Sequence, residues 1–314
     1  MTLDPNYAHL NVIDIHAHFP IENTLGLEPS GVERHKLLVA YGQSRSARMQ
    51  SEWSMAAPEP VAKTDEEVEV FAQRWADEVE RYGLRSVNFV TGGGNDELAK
   101  IVAGQPDKFT GFAHHPLRPG ACEILKHAVD DLGLKGYKLI GPLTEYPFEH
   151  PELRSTWEFC AERRLPVLIH FGWLGRGGGV VQHPRINPLS LFETARDFPE
   201  IPFVIPHFGV NHWGDVLALA WSLPNILVDT SGSNQWTKWM PYPLTLEDMF
   251  RKAYENLGPE RILFGTDSSY FPRGFSVRYL QDQLRACYSL NFKEADIRAI
   301  FGNNAARLLG LESR

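Results

Sequence analysis

The stretch LPVLIH at positions 165–170 decides the fold class, because it is a short apolar run that ends on a histidine and has helical segments on both sides. One helix is predicted before it, at residues 151–163, and another after it, at 189–198. The next apolar run, at 202–207, again ends on a histidine. Apolar runs of this length are typical of strands that are buried on both faces in a parallel sheet.

The same alternation extends along the chain in both directions. Strands are predicted at residues 11–16, 85–90, 108–113, 136–140, 165–170, 202–207, 225–229 and 261–267. Helices are predicted at residues 64–82, 96–103, 121–132, 151–163, 189–198, 213–222, 245–256, 276–289 and 293–309. Eight strand–helix repeats predict an α/β fold of the (β/α)8 TIM barrel type. The alternative is a doubly wound open sheet, which predicts a glycine-rich phosphate turn where His16-Ala-His18 stands.

One stretch fits no strand–helix repeat. Residues 21–63 are polar and punctuated by glycine, proline and serine, and no domain linker is evident elsewhere. We therefore expect a single domain over residues 1–314, with 21–63 inserted after the first strand as a lid or an interface segment.

Composition excludes several classes of protein. The 314 residues include 31 basic and 39 acidic side chains, for a formal net charge of -8, and 43% are hydrophobic. This composition disfavours a disulfide miniprotein and a basic nucleic-acid binder, and no apolar run approaches the length of a membrane span. Cys122, Cys160 and Cys287 form no CxxC pair, and the N-terminus shows no secretory signal. We therefore expect reduced thiols and a cytoplasmic location.

Polar residues end four of the predicted strands. They are His16, His18, His170, His207 and Asp267. The carboxyl ends of barrel strands open on one face, so these side chains are expected to converge. Imidazole nitrogens and carboxylate oxygens suit Zn²⁺ and related divalent ions, which activate water. A single strand-end histidine is more often an ordinary hydrogen-bonded residue, and the aspartate could cap a helix, so the prediction depends on their coincidence.

Several motifs resemble those of the amidohydrolase superfamily. They are HAHFP at 16–20, His170, IPHFG at 205–209, DTSG at 229–232 and FGTD at 264–267. Within the superfamily, the chain is most similar to the amidohydrolase-related (amidohydrolase 2) branch that includes aminocarboxymuconate-semialdehyde decarboxylase. The tail IFGNNAARLL at 300–309 is similar to the closing helix of that branch. The resemblance spans most of the chain, and residues 21–63 fit it poorly.

This resemblance implies a set of metal ligands. His16, His18, His170 and Asp267 match the ligands of a single divalent ion, zinc in the first instance, with Mn²⁺ or Fe²⁺ as alternatives. His207 matches a histidine that stays near the metal as a catalytic or substrate-polarising group. Asp267 would also accept a proton from the activated water, as a carboxylate at that distance can. The branch further implies a homodimer.

Lys138 has two interpretations. It lies in GYKL, in the fourth predicted strand, where dinuclear amidohydrolases carry a carboxylated lysine that bridges two metal ions. In that case a second ion would be present, with His207 as its ligand. Otherwise Lys138 is unmodified and binds a substrate carboxylate or forms an ion pair.

Three further residues are candidate substrate contacts. His115 follows the third predicted strand and is expected to face the mouth of the barrel. Arg273, in the loop after the eighth strand, is placed to bind a carboxylate, with a solvated or ion-paired loop charge as the alternative. Trp173 would line the pocket or simply pack in its loop.

We predict a metal-dependent hydrolase of a small lactone, ester or amide that carries a carboxylic acid, with Asp267 as general base. The alternative is a metal-dependent nonoxidative decarboxylase of an unsaturated or aromatic acid. Both act on a small molecule, without nucleic acid or membrane partners. The other hypotheses are a metal-independent lactonase, which metal analysis would identify, and a non-catalytic or metal-storage barrel, which predicts no solvent-open coordination site and no pocket beyond the ligands.

Overall fold

Eight short parallel strands form the centre of the molecule. The computed structural model describes residues 7–22, 36–52, 56–173 and 184–311. The strands are β1 (Ile13–His18), β2 (Ser86–Thr91), β3 (Phe109–Gly111), β4 (Tyr137–Ile140), β5 (Val167–His170), β6 (Phe203–Ile205), β7 (Ile226–Asp229) and β8 (Ile262–Leu263). Each overlaps a predicted strand, so the sequence pattern located all eight.

Hydrogen bonds close these strands into a barrel. Strands β1 to β3 pair in order, and so do β4 to β8, all in parallel. The backbone N–H of Lys138 donates to the carbonyl of Ala113 at 2.7 Å and thereby joins β3 to β4. The N–H of His18 donates to the carbonyl of Ser268 at 2.7 Å and joins β1 to the end of β8. The predicted (β/α)8 barrel is therefore confirmed.

Helices follow most of the strands. The α-helices are α1 (Lys36–Glu52), α2 (Asp65–Arg81), α3 (Asn95–Gly104), α4 (Ala121–Lys126), α5 (Arg154–Arg163), α6 (Phe192–Asp197), α7 (Trp213–Ser222), α8 (Ser233–Trp236), α9 (Leu246–Leu257), α10 (Val277–Ser289), α11 (Glu294–Arg298) and α12 (Asn304–Leu308). Turns of π-helix extend α4 over His127–Asp131 and join α11 to α12 over Ala299–Asn303. In the described part of the chain, no helix is both long and apolar enough to cross a bilayer.

The interior of the barrel is apolar below its polar end. Leu168, Val204 and Leu227 belong to one buried cluster, to which α12 contributes Ala305 and Ala306. Leu168 and Leu227 each lie two residues before the polar residue that ends their strand, and Val204 lies three residues before His207, which follows β6. The polar residues therefore lie above an apolar layer, where water is excluded from one side.

Residues 21–63 were predicted to be an insertion, and part of this range lies outside the described residues. The described part contains α1, a helix that the sequence pattern did not predict. It also contains the backbone hydrogen bond from Ala62 to Pro20, which holds the end of the insertion against the chain that follows β1. Its role as a lid or an interface segment stays a prediction.

Candidate metal centre

Four imidazoles gather at the carboxyl end of the barrel. The ring centroid of His16 lies 5.2 Å from that of His18 and 5.1 Å from that of His207. The ring of His170 lies 5.1 Å from that of His207. Segments that are far apart in sequence, at the ends of β1, β5 and β6, thus supply one contiguous group. We call these four residues, together with Asp267, the polar cluster.

Asp267 faces these imidazoles from the end of β8. Its Oδ1 is 3.1 Å from Nε2 of His18 and 3.8 Å from Nε2 of His16. The ligand atoms of His16, His207 and Asp267 all lie within 4.8 Å of one another. Two donors that are each about 2.1 Å from an ion lie at most about 4.2 Å apart, so a small contraction would let one ion contact all three. His207 is thus within reach of an ion, and the assignment of individual ligands stays a prediction.

The orientation of His16 fits a metal ligand. Its Nδ1 donates to Oδ2 of Asp229 at 2.8 Å. Its Nε2 is fully buried and has no hydrogen-bond partner among the described residues. A buried polar atom without a partner costs free energy, and carboxylate–histidine pairs of this kind orient metal ligands in proteins. The residues present therefore suit a divalent ion next to Nε2.

Two more imidazoles are held by neighbouring oxygen atoms. Nδ1 of His18 lies 2.7 Å from Oγ1 of Thr91. Nδ1 of His207 donates to the carbonyl of Ser231 at 2.7 Å. Each contact sets the direction of the ring and thus of its other nitrogen.

The protonation states of His16, His170 and Asp267 suit metal binding. Burial lowers the pKa of His16 to about 4 and holds the pKa of His170 well below its ordinary value. Burial alone would raise the pKa of Asp267, but the hydrogen bond with His18 and the neighbouring imidazoles hold it well below its ordinary value. Neutral imidazole and ionised carboxylate are the forms that bind metal ions.

The backbone is strained at two members of the polar cluster. His207 and Asp267 both adopt a φ of 57°, which is uncommon for residues other than glycine. Val210, in the loop after β6, combines a φ of 54° with a ψ of -117°. A β-branched residue rarely adopts such a conformation, and strain of this kind concentrates at functional sites. It also explains why β6 ends at Ile205 rather than at the predicted position 207.

Lys138 is buried on the inner side of β4. Only 4% of the residue is exposed. Burial lowers the pKa of its ammonium group to about 8, although the charges of Asp229 and Asp267 oppose this shift. Its charge acts in turn on His16 and His170 and lowers their pKa values. Lys138 is thus close to the polar cluster, and its carboxylation and its contact with substrate stay predictions.

His115 is held by neighbouring groups on both sides of its ring. The ring stacks on Tyr137 with centroids 4.6 Å apart. Its Nε2 lies 3.2 Å from the carbonyl of Ala121, and its Nδ1 lies 3.3 Å from Nδ2 of Asn95. The Nε2 edge of His115 is therefore directed toward α4, and the residue also lines a cavity between the loops after β3 and β4. Its role in substrate binding stays a prediction.

Arg273 and Trp173 lie at the rim of the same end. The Arg273 guanidinium donates to the carbonyls of Asp267 and Thr266, both at 3.4 Å, so it supports the backbone of the β8 loop. Trp173 is 42% exposed, and its carbonyl oxygen lies 3.2 Å from Nε2 of His170. The structure places both residues beside the polar cluster, and their predicted substrate contacts remain predictions.

Two buried carboxylates were not among the predicted site residues. Asp229 ends β7, so the rule that located the histidines, a polar residue at the carboxyl end of a strand, would also have located it. Asp14 lies inside β1, where it accepts the backbone N–H groups of His16 at 3.1 Å and Thr266 at 3.0 Å. A carboxylate within an otherwise apolar buried strand is itself a signal, because it needs hydrogen-bond donors.

Comparison with known proteins identifies a family over most of the chain. A model of the amidohydrolase family matches residues 13–311. The chain is 25% identical over 263 residues to a gamma-resorcylate decarboxylase from Rhizobium sp. (strain MTP-10005), a match that covers 69% of this chain and 75% of that protein.

Solved structures share the fold. One is a dihydroxybenzoic acid decarboxylase from Polaromonas sp. JS666 with bound manganese and the inhibitor 2-nitroresorcinol, which has a TM-score of 0.60 at 18% identity and covers 96% of this chain and 98% of that chain. Another is a probable 2-pyrone-4,6-dicarboxylic acid hydrolase from Acinetobacter baumannii with bound citric acid. It has a TM-score of 0.63 at 14% identity and covers 96% of this chain and all of the other (100%).

Proposed function

Because the chain belongs to the amidohydrolase family, we propose that it is a metal-dependent decarboxylase of a small unsaturated or aromatic carboxylic acid. The observation that supports metal dependence is the buried Nε2 of His16, which lies 3.8 Å from Oδ1 of Asp267 and has no hydrogen-bond partner in the part of the chain that the structure describes. Decarboxylation is supported by the similarity to a gamma-resorcylate decarboxylase over most of both chains. The reaction that the sequence analysis placed second is thus preferred.

His16, His18, His170 and Asp267 would hold the ion, with His207 beside it. When bound, the ion supplies Lewis-acid polarisation of a substrate oxygen. Zinc is the ion predicted from the donor atoms, and manganese is the ion in the Polaromonas decarboxylase. The product assay described below therefore uses both Zn²⁺ and Mn²⁺.

Asp267 is the residue that moves the proton in this proposal. Asp267 is ionised, so it would first accept the proton of the reacting carboxyl group of the substrate. The C–C bond then breaks, CO₂ leaves, and Asp267 returns the proton to the electron pair that remains on carbon. The Asp267 side chain is 33% exposed, so a substrate can reach its carboxylate. Asp229 is unsuited to this task because it is fully buried and bound to His16. General acid–base assistance of this kind contributes about 10²–10⁴-fold to rate.

Hydrolysis is the second candidate. Asp267 would then accept a proton from the attacking water and deliver it to the leaving oxygen or nitrogen. The exposure of its carboxylate supports this role equally, and so does the fold shared with a probable 2-pyrone-4,6-dicarboxylic acid hydrolase.

Product analysis separates the two reactions. Protein purified without chelators, and loaded with Mn²⁺ or Zn²⁺, is incubated with a panel of hydroxybenzoic acids and of lactones. We expect CO₂ release from at least one acid and loss of activity on chelation. Ring opening of a lactone without CO₂ release would favour hydrolysis. Activity that survives complete metal removal would overturn metal dependence.

Two variants test the role of Asp267. Asp267→Asn is expected to lower turnover by at least about 10²-fold, and metal content is measured alongside because the same residue is a predicted ligand. Asp130→Asn is the matched control, since Asp130 pairs with Arg163 on the surface, away from the polar cluster. Near-normal turnover in Asp267→Asn would contradict the assignment.

A further inference from the structure

A cavity opens beside the polar cluster. Its volume is about 200 Å³, and it lies between the loop after β3 and the loop after β4. Its lining includes His115, Arg118, Lys138, Thr144 and Glu145. Whole-ligand pockets usually measure about 300–1,000 Å³, so this cavity suits one end of a substrate. Among the described residues, none that lines the cavity belongs to the polar cluster.

Lys138 is the charged group at the inner end of this cavity. Within the described residues, its ammonium group has no hydrogen bond or ion pair. The two carboxylates whose charges act on it are bound elsewhere, because Asp229 accepts from His16 and Asp267 lies against His18. A buried charge without a paired counter-ion is costly, and an anion in the cavity would offset that cost.

The other polar residues of the cavity lining are either held by hydrogen bonds or exposed at its rim. Both ring nitrogens of His115 are held by Ala121 and Asn95, so this residue forms a wall. Arg118 and Glu145 are exposed and form the rim. Thr144 is buried, and its hydroxyl donates to the carbonyl of Gly141 at 2.8 Å. Lys138 is therefore the buried lining residue that carries a positive charge.

We propose that this cavity binds a carboxylate of the substrate other than the reacting group, with Lys138 as its counter-ion, so that the substrates are small dicarboxylic acids. This inference rests on the proposed function, because it assumes that the reacting part of the substrate lies at the polar cluster. Lys138 lies between the cavity and the polar cluster. Its position therefore sets the distance between the second carboxylate of the substrate and its reacting group. No covalent step is involved.

Binding to manganese-loaded protein tests this proposal without any measurement of turnover. Isothermal titration calorimetry compares isophthalate with benzoate, two rigid probes that differ by a single carboxylate. We expect isophthalate to bind roughly tenfold more tightly. In Lys138→Met the two affinities should agree within about twofold, because a single charge-assisted contact is lost. Lys135→Met is the matched control, since Lys135 is exposed just before β4 and its replacement changes the net charge equally.

Three results would overturn the proposal. Equal affinities of the two probes in the unaltered protein would do so even if Lys138→Met failed to fold. Retention of the preference for isophthalate in a folded Lys138→Met protein would exclude Lys138 as the counter-ion. A Lys138 that carries the mass of one added CO₂, with two metal ions per chain, would assign it to a bridging role. Failure of the protein to take up any divalent ion would instead count against the proposed function.

Discussion

Nδ1 of His16 donates a hydrogen bond of 2.8 Å to Oδ2 of Asp229, and this bond joins β1 to β7 within the candidate metal centre. The other carboxylate oxygen of Asp229 accepts the backbone N–H of Ser231 at 2.9 Å and that of His207 at 3.3 Å. Burial opposes ionisation of Asp229, but the adjacent His16 and the hydrogen bonds hold its pKa below the ordinary value. One buried anion thus orients the imidazole of His16 and holds the backbone of His207.

Replacement of Asp229 by asparagine should weaken metal binding. Asp229→Asn keeps the shape of the side chain but removes the charge that orients His16, and loss of such a partner typically costs about 10–100-fold in metal affinity. Competition titration with a chromophoric chelator measures the affinity for Mn²⁺ and Zn²⁺. Asp130→Asn serves as the surface control, and an affinity within twofold of the unaltered protein would contradict the orienting role.

Gly265 leaves the space that His16 occupies. A Cβ atom at Gly265 would lie 3.0 Å from Cβ of His16 and 3.1 Å from Cβ of Ser231. Gly265→Ala should therefore displace His16 and lower both metal affinity and turnover, by about 10-fold or more. Gly104→Ala is the matched control, because its added Cβ meets no atom within 4 Å. An unchanged metal affinity in Gly265→Ala would show that the backbone shifts to accommodate the added Cβ and that His16 keeps its position.

The buried charge of Lys138 predicts a pH dependence of stability. Its pKa falls from 10.5 to about 8 in the folded protein. Between these values the unfolded chain binds more protons than the folded chain, so stability rises with pH. Relative to Lys138→Met, the metal-free protein should gain on the order of 3 kcal/mol in free energy of unfolding between pH 7 and about pH 11.

Urea denaturation of the two proteins at matched pH values measures this difference. The comparison removes the contributions of other titrating groups, since both proteins share them. A difference in the free energy of unfolding that stays constant across the range would show that Lys138 is not desolvated as the structure indicates.

Asp14 joins the two segments that carry the predicted ligands His16 and Asp267. Its carboxylate accepts the N–H groups of His16 and Thr266 and also the hydroxyl of Thr266, at 2.5 Å. Asp14→Ala would leave these buried donors without an acceptor and should lower the free energy of unfolding by about 3 kcal/mol. Asp14→Asn retains one acceptor oxygen and should cost less. Urea denaturation compares the two variants, and a loss below about 1 kcal/mol in Asp14→Ala would contradict this account.

The predicted helix boundaries were accurate where a local signal was present. The helix predicted at 64–82 begins with a capping box, in which the Glu67 N–H donates to Oγ1 of Thr64 at 3.3 Å, and α2 begins at the residue after Thr64. Helix α1 was missed because it lies in a polar stretch with little amphipathic periodicity. No local pattern distinguishes such a helix from a loop.

The sequence by itself determined the eight-strand alternation, the barrel, and the strand ends at which polar residues converge. These features depend on periodicity and on the composition of short segments, which act through neighbours along the chain. Only the tertiary structure decided which groups meet: the bond between His16 and Asp229, the hydrogen bond of His115 to α4, and the burial of Lys138 with no hydrogen bond or ion pair among the described residues. These contacts join residues of different strands and loops, and their distances depend on how the barrel closes and how each side chain packs.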